Sequence, residues 1–259
     1  VRGELLNDGL SMVSAGRGPD LVVLPGLGEG ADLSVRVPRG VAWATQALAA
    51  GLKRQVHQIN RPMNPPAGMT IPDLAAWHAT ALTAKFGAPV DIMGVSAGGT
   101  VALQLALDHP QVVRRLVLCI TAARLGDDGR RELTRMVESE PPEPSAARNG
   151  GAPLARGPVR LLLAGGFRLV RGRPRQPGEA ATAAAVQDWD VRERLGEITA
   201  PTLVAGGMRD RIVAPELVRA TASGIAGARL LLMPGRGHTT ALYDPRLKAA
   251  IAAFLAQPV

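Results

Sequence analysis

The run DIMGVSAGGTVALQLALDHP, residues 91–110, joins an apolar strand to an Ala/Leu-rich helix through the pentapeptide Gly94-Val95-Ser96-Ala97-Gly98. The strand is Val90 to Met93 and the helix Ala97 to Asp108. A G-x-S-x-G pentapeptide in this setting predicts a sharp strand-to-helix turn that lifts a serine hydroxyl out of the sheet. Such a turn holds the serine at strained backbone angles. Glycines at 94 and 98 remove the side chains that would collide where strand and helix cross, and Gly99 adds further room. The hydroxyl of Ser96 then lies near the positive end of the following helix.

Outward from this turn, short apolar runs alternate with helical patterns. Leu21 to Leu24, Gln55 to Ile59, Leu116 to Ile120, Thr202 to Ala205 and Leu230 to Met233 read as strands, each bounded by Gly or Pro. Glu4 to Leu6 and Ser11 to Ser14 are expected to form a hairpin across Asn7-Asp8-Gly9. Val41 to Ala50, Ile71 to Lys85, Pro215 to Thr221 and Pro245 to Ala256 carry helical periodicity, with Pro72 and Pro245 in first turns. This alternation predicts an α/β fold: a mostly parallel central sheet covered by helices on both faces. Residues 124–188 break the rhythm. They hold a charged helix (Gly129 to Ser139), a Pro/Ala/Gly-rich region (Pro141 to Pro158) and an Arg-rich segment (Arg168 to Arg175). We expect a core domain from residues 1–123 and 189–259, with 124–188 inserted as a part-helical, part-mobile cap.

A serine hydroxyl needs a base within hydrogen-bond reach, and the base needs a third group to fix its tautomer. The chain has four histidines. His57 lies in a strand, His78 in a helix and His109 at a helix end, all ordinary packing or surface positions. His238 follows the last strand through the turn Pro234-Gly235-Arg236-Gly237, and so stands at a strand's carboxyl end, where ligands gather in open α/β sheets. Asp210 follows the strand Thr202 to Ala205 through Gly206-Gly207-Met208-Arg209. The order Ser96, Asp210, His238 predicts nucleophile, orienting acid and general base; Asp190 and Asp244 are competitors for the acid. The backbone N–H of Ala97, just after the nucleophile, is one expected oxyanion donor.

Composition excludes several other functions. The net charge of +8 and pI near 11 suggest an acidic partner, yet only positions 53, 85 and 248 are lysine. Abundant Ala, Gly, Pro and Arg point to GC-rich coding, and no clustered basic motif or zinc-finger spacing appears, so no nucleic-acid partner is expected. Cys119 lies in the apolar run Leu116 to Ile120 and reads as a buried small hydrophobe; one cysteine forms no intrachain disulfide and fits a reducing, cytoplasmic location. No apolar stretch reaches about 18 residues, so no membrane span is expected. The opening VRGELLNDGL lacks the apolar core of a signal peptide, and a start at Val1 reads as trimmed. No metal-ligand spacing and no Walker or dinucleotide glycine pattern is present, so no metal or cofactor is expected.

Four segments carry a resemblance: LVVLPGLGEG (21–30), DIMGVSAGGTVALQLALDHP (91–110), DWDVRERLGEITAPTLVAGGMRDRIVAP (188–215) and LLLMPGRGHTT (230–240). Together they make the chain resemble the α/β-hydrolase superfamily, in its branch of compact esterases, lactonases, cofactor-free haloperoxidases and carbon–carbon bond hydrolases. The resemblance implies a second oxyanion donor at the N–H of Leu27 and a variable cap at 124–188. Two features depart from it. Pro25-Gly26 stands where many relatives have His-Gly, and Asn60-Arg61-Pro62 replaces an Asp-x-Arg-Gly-like turn, leaving Arg61 with a structural role or a substrate contact.

The expected function is a serine hydrolase cleaving an ester, lactone or thioester of a small molecule through an acyl-enzyme on Ser96. The same triad also suits carbon–carbon cleavage, acyl transfer or cyclisation in a biosynthetic tailoring step. A third alternative is a small-molecule receptor with little turnover. The scaffold alone does not choose among these.

Overall fold

The structure is a computed structural model that describes residues 1–6, 9–28, 32–138 and 177–258. In chain order the elements are β1 (Arg2–Leu5), β2 (Ser11–Gly16), β3 (Asp20–Leu24), α1 (Arg39–Leu52), β4 (Gln55–Ile59), α2 (Ile71–Phe86), β5 (Val90–Val95), α3 (Ala97–Asp108) and β6 (Val113–Cys119). They continue with α4 (Asp127–Glu138), α5 (Pro177–Gln187), β7 (Thr202–Gly207), α6 (Pro215–Gly224), β8 (Arg229–Met233), the single turn α7 (His238–Ala241) and α8 (Pro245–Leu255).

The strands form one sheet in the order β1-β2-β4-β3-β5-β6-β7-β8. β1 and β2 pair antiparallel, as does β2 with β4; every other pair is parallel. β5 sits inside the sheet between β3 and β6, and Ser96 follows its last residue.

Each central strand is buried on both faces, so its apolar residues run without interruption and sort by alternation. Val22, Ile92, Leu116, Leu118 and Val204 face a cluster with α2, α3 and α6. Leu21, Val23, Met93, Val117 and Leu203 face α1 and α8. Cys119 is fully buried, and burial pushes its thiol up to about 12. The α2 start is closed by a reciprocal cap: Thr70 Oγ1 accepts from Asp73 N–H, and the Asp73 carboxylate accepts from Thr70 N–H.

The expected strands and helices are present, with shifted ends. β6 begins three residues earlier than expected and takes in Arg114 and Arg115, and Ile120 lies beyond its end. Two of its charges enter a strand because both guanidiniums meet the buried Asp91 of neighbouring β5. Between β6 and β7, α4 matches the expected charged helix, while α5 is a helix the sequence reading did not single out. The Pro141 to Pro158 and Arg168 to Arg175 segments, the expected mobility there and the Asn7-Asp8 turn lie outside the described residues.

Candidate active site

The turn after β5 shows why its residues are small. Ser96 has φ 51° and ψ −121°, a backbone region that side chains rarely occupy. A Cβ at Gly94 would stand 2.5 Å from Gly99 Cα, and one at Gly98 would stand 2.1 Å from Leu24 O. One at Gly99 would strike the Thr121 side chain at 2.4 Å. α3 therefore starts tight against β3, β5 and the end of β6. Ser96 N–H donates to Cys119 O at 2.9 Å, which ties the turn to β6. Beside it, Ile120 also has a positive φ of 51°. A β-branched residue there is an outlier, and nothing in the sequence marks it.

Two further strand ends bring the other expected residues to Ser96. Ser96 Oγ and His238 Nε2 are 2.9 Å apart, and His238 Nδ1 and Asp210 Oδ2 are 2.7 Å apart. Asp210 is supported in turn: its Oδ1 accepts the N–H groups of Ile212 and Val213, both at 2.9 Å. An ionised carboxylate only accepts, so Nδ1 carries the ring hydrogen and Nε2 accepts from the serine hydroxyl. The loops after β7 and β8 need Gly207 to approach so closely, since a Cβ there would lie 2.3 Å from Arg236 O. The Asp210 side chain is fully buried, whereas that of His238 keeps 16% exposure, so the imidazole reaches the outside and the carboxylate does not.

The competing residues are engaged elsewhere. Asp190 is forked by Arg192 and Asp244 by Arg236 and Arg246. His57 bonds Asp20 and Ser14, and His78 is buried in α2 against Leu74 O. Burial pushes His78 down to about 4, with the nearby Arg61 charge adding to the effect. Among the described residues, no group of three or more His, Cys, Asp or Glu could hold a metal ion.

The loop after β3 lies across the serine. A Cβ on Gly26 would come within 3.3 Å of Ser96 Cβ, a tight contact that glycine avoids. Arg61, buried after β4, donates through one terminal nitrogen to both Pro25 O and Gly26 O at 2.9 Å. Glu179 of α5 accepts the Gly28 N–H at 2.6 Å and lies 3.9 Å from Arg61. The sequence left Arg61 between two roles; the geometry gives it the loop. Glu179 was missed, because the Ala-rich signal of α5 was obscured by the Pro, Gly and Arg around it.

A small cavity of about 30 Å³ opens beside Ser96. Leu27 and Ala97 line it together with residues from α4, α5 and the loop after β7. As the first helical residue, Ala97 has no intrahelical acceptor for its N–H.

The sequence matches the profile of the alpha/beta hydrolase fold over residues 20–245. The chain belongs to this family. It is similar to the pimeloyl-(acyl-carrier protein) methyl ester esterase of Neisseria meningitidis serogroup B, 32% identical over 200 residues, covering 69% of this chain and 73% of the relative. The Chromobacterium violaceum esterase of the same description is 27% identical over 247 residues, covering 88% and 91%. A hydrolase of known structure from Pseudomonas aeruginosa superposes with a TM-score of 0.76 at 26% identity, covering 98% of each chain. No helix among the described residues is long and apolar enough to cross a membrane.

Proposed function

We propose that this α/β hydrolase is a serine esterase that cleaves a carboxylic ester, lactone or thioester of a small molecule through an acyl-enzyme on Ser96. The observation that carries the reading is the relay Ser96–His238–Asp210, with contacts of 2.9 and 2.7 Å, mounted on a strained turn. Family membership and the esterase relatives agree with it.

In this reading the Ser96 hydroxyl gives its proton to His238 Nε2 as Oγ attacks the carbonyl carbon. The carbonyl oxygen becomes an oxyanion, held by the N–H groups of Leu27 and Ala97. The bond to the leaving oxygen or sulfur breaks as His238 returns the proton to it. Water then attacks the acyl carbon, giving a proton to His238. That proton returns to Ser96 Oγ as the acid leaves. Asp210 stabilises the imidazolium without taking a proton.

Residues 124–188 are proposed as a cap inserted into one core domain formed by 1–123 and 189–259. Support comes from Leu133 of α4 and Val186 of α5, which line the cavity beside Ser96. A cytoplasmic location is proposed on the one buried cysteine, which fits a reducing compartment.

The test is fluorophosphonate labelling read by intact mass, with turnover of p-nitrophenyl esters from acetate to decanoate measured alongside. One adduct on the native protein, none on Ser96→Ala, and turnover lost in that variant are expected. No adduct would remove the nucleophile assignment. An adduct without turnover on any ester would move the protein to the tailoring or receptor alternatives.

A further inference from the structure

The cavity beside Ser96 is lined by a charged side chain that the proposed reaction does not use. Its walls are mostly apolar, with Leu27, Leu125, Leu133, Val186 and Val213 among them, and Arg124 is the sole charged residue lining it among the described residues. Arg124 Nε is shut off from solvent and makes no hydrogen bond among those residues. Arg124 itself is half-buried; the buried arginines among the described residues are engaged, Arg54 and Arg115 with Asp91 and Arg61 with two carbonyls. Asp190, whose backbone bridges that of Arg124, feels the Arg124 charge. Its two oxygens are bound by Arg192, at 2.8 to 3.0 Å. A guanidinium N–H withdrawn from water without an acceptor is costly unless a ligand supplies one.

We propose that Arg124 is a substrate-binding residue that recognises a carboxylate on the acyl part of the substrate, so that the preferred substrates are half-esters of short dicarboxylic acids or lactones bearing a free carboxylate. The acyl side is indicated because Leu27 and Ala97, which flank the carbonyl carbon in the proposed reaction, line the same cavity. The arm is short because Ser96 and Arg124 line the same small cavity. A planar guanidinium binds a carboxylate through two parallel N–H donors, giving direction as well as attraction. This inference rests on the esterase reading for its site.

The experiment compares monomethyl succinate with methyl levulinate, and monomethyl glutarate with methyl 5-oxohexanoate. Within each pair the lengths match and only the charge differs. The native protein is expected to favour the anion in kcat/KM by about tenfold or more, the range of a charge-assisted hydrogen bond. Arg124→Met is expected to bring each ratio to about one, mainly through KM, and Arg124→Lys to keep part of it. Native turnover without anion preference, or a variant in which both members of a pair fall equally, overturns the inference while leaving the esterase reading intact. Binding of succinate and glutarate to Ser96→Ala, followed by calorimetry, needs no turnover. Loss of that binding in Ser96→Ala/Arg124→Met supports the inference even if the esterase reading fails. Equal binding by both, or none by either, overturns it.

Discussion

The two ends of β5 handle charge in opposite ways. Near its start, Asp91 is fully buried and meets three guanidiniums: Arg54 at 3.2 Å, Arg114 at 2.8 Å and Arg115 at 3.1 Å. Arg54 and Arg115 go on to the carbonyls of Leu255 and Gln257, fastening the end of the chain to the sheet. Just past the other end, Ser96 sits at a strained φ, and the cavity beside it is lined by Arg124, whose Nε makes no hydrogen bond among the described residues. At the amino end, charge closes on itself and supports the fold. At the carboxyl end, the chain of contacts from Asp210 through His238 to Ser96 opens onto the cavity. Both clusters rest on buried aspartates, yet Asp210 is oriented toward a histidine that still reaches solvent.

Removing each aspartate tests this contrast. The largest effect is expected from Asp210→Asn. The amide would hold His238 in the wrong tautomer, and kcat should fall by on the order of 10³- to 10⁴-fold with the fold retained. Steady-state kinetics with circular dichroism would check it, and a loss under tenfold would separate Asp210 from the relay. Asp91→Asn should do the reverse. Three guanidiniums would lose their shared anion, at a cost of about 3–5 kcal/mol in urea unfolding, while kcat per folded molecule stays near native. A specific fall in kcat there would mean the two ends are coupled.

A smaller, pH-dependent effect is expected from His78. Burial holds it down to about 4 in the folded state, while in the unfolded chain it returns to about 6.5. Between those values the unfolded state binds the extra proton, so stability is full above about 6.5 and falls as the pH drops toward 4. The loss is at most roughly 3 kcal/mol. Urea unfolding at pH 7 and pH 4.5 should show the slope in the native protein and a flatter one in His78→Leu. Equal slopes would mean that other groups set the acid sensitivity.

The sequence exposed the carboxyl-end cluster much better than the arginines that surround it. Ser96 could be read because the glycines its turn requires stand within three residues of it, although Gly98 and Gly99 make room for the distant Leu24 and Thr121. His238 and Asp210 could be read because each follows a glycine-rich strand end in the expected order. Arg61 was ambiguous because it bonds backbone carbonyls thirty-five and thirty-six residues away, and a carbonyl acceptor leaves no mark on residue identity. Arg114 and Arg115 hid the start of β6, since two charges in a row argue against a buried strand until Asp91 is placed beside them. Arg124 gave no signal at all, because what marks it is an Nε without an acceptor beside a cavity that exists only once α4, α5 and the loop after β7 have converged.

Arg61 offers the finest division between support and chemistry. The Gly26 carbonyl and the Leu27 N–H belong to one planar peptide unit, and no cis bond occurs among the described residues. A guanidinium that fixes the carbonyl therefore fixes the N–H on the opposite side of that plane. Glu179 holds the next amide, Gly28, so the loop is gripped from two directions, one of them α5. Arg61→Met should leave the peptide free to rock and lower kcat by about tenfold, somewhat less than deletion of an oxyanion donor itself. Arg61→Lys should behave similarly, because a strongly hydrated ammonium on a flexible stem lacks the rigid planar group that holds both N–H donors of one nitrogen in fixed directions. A boronic acid inhibitor, tetrahedral when bound to serine, should weaken by the same factor as kcat falls, with KM little changed. Matching losses in kcat and inhibitor affinity mark an effect on the transition state. A fall in the number of labelled sites with native kcat per labelled site would instead return Arg61 to the class of Asp91, a charge that supports the fold and takes no part in the chemistry.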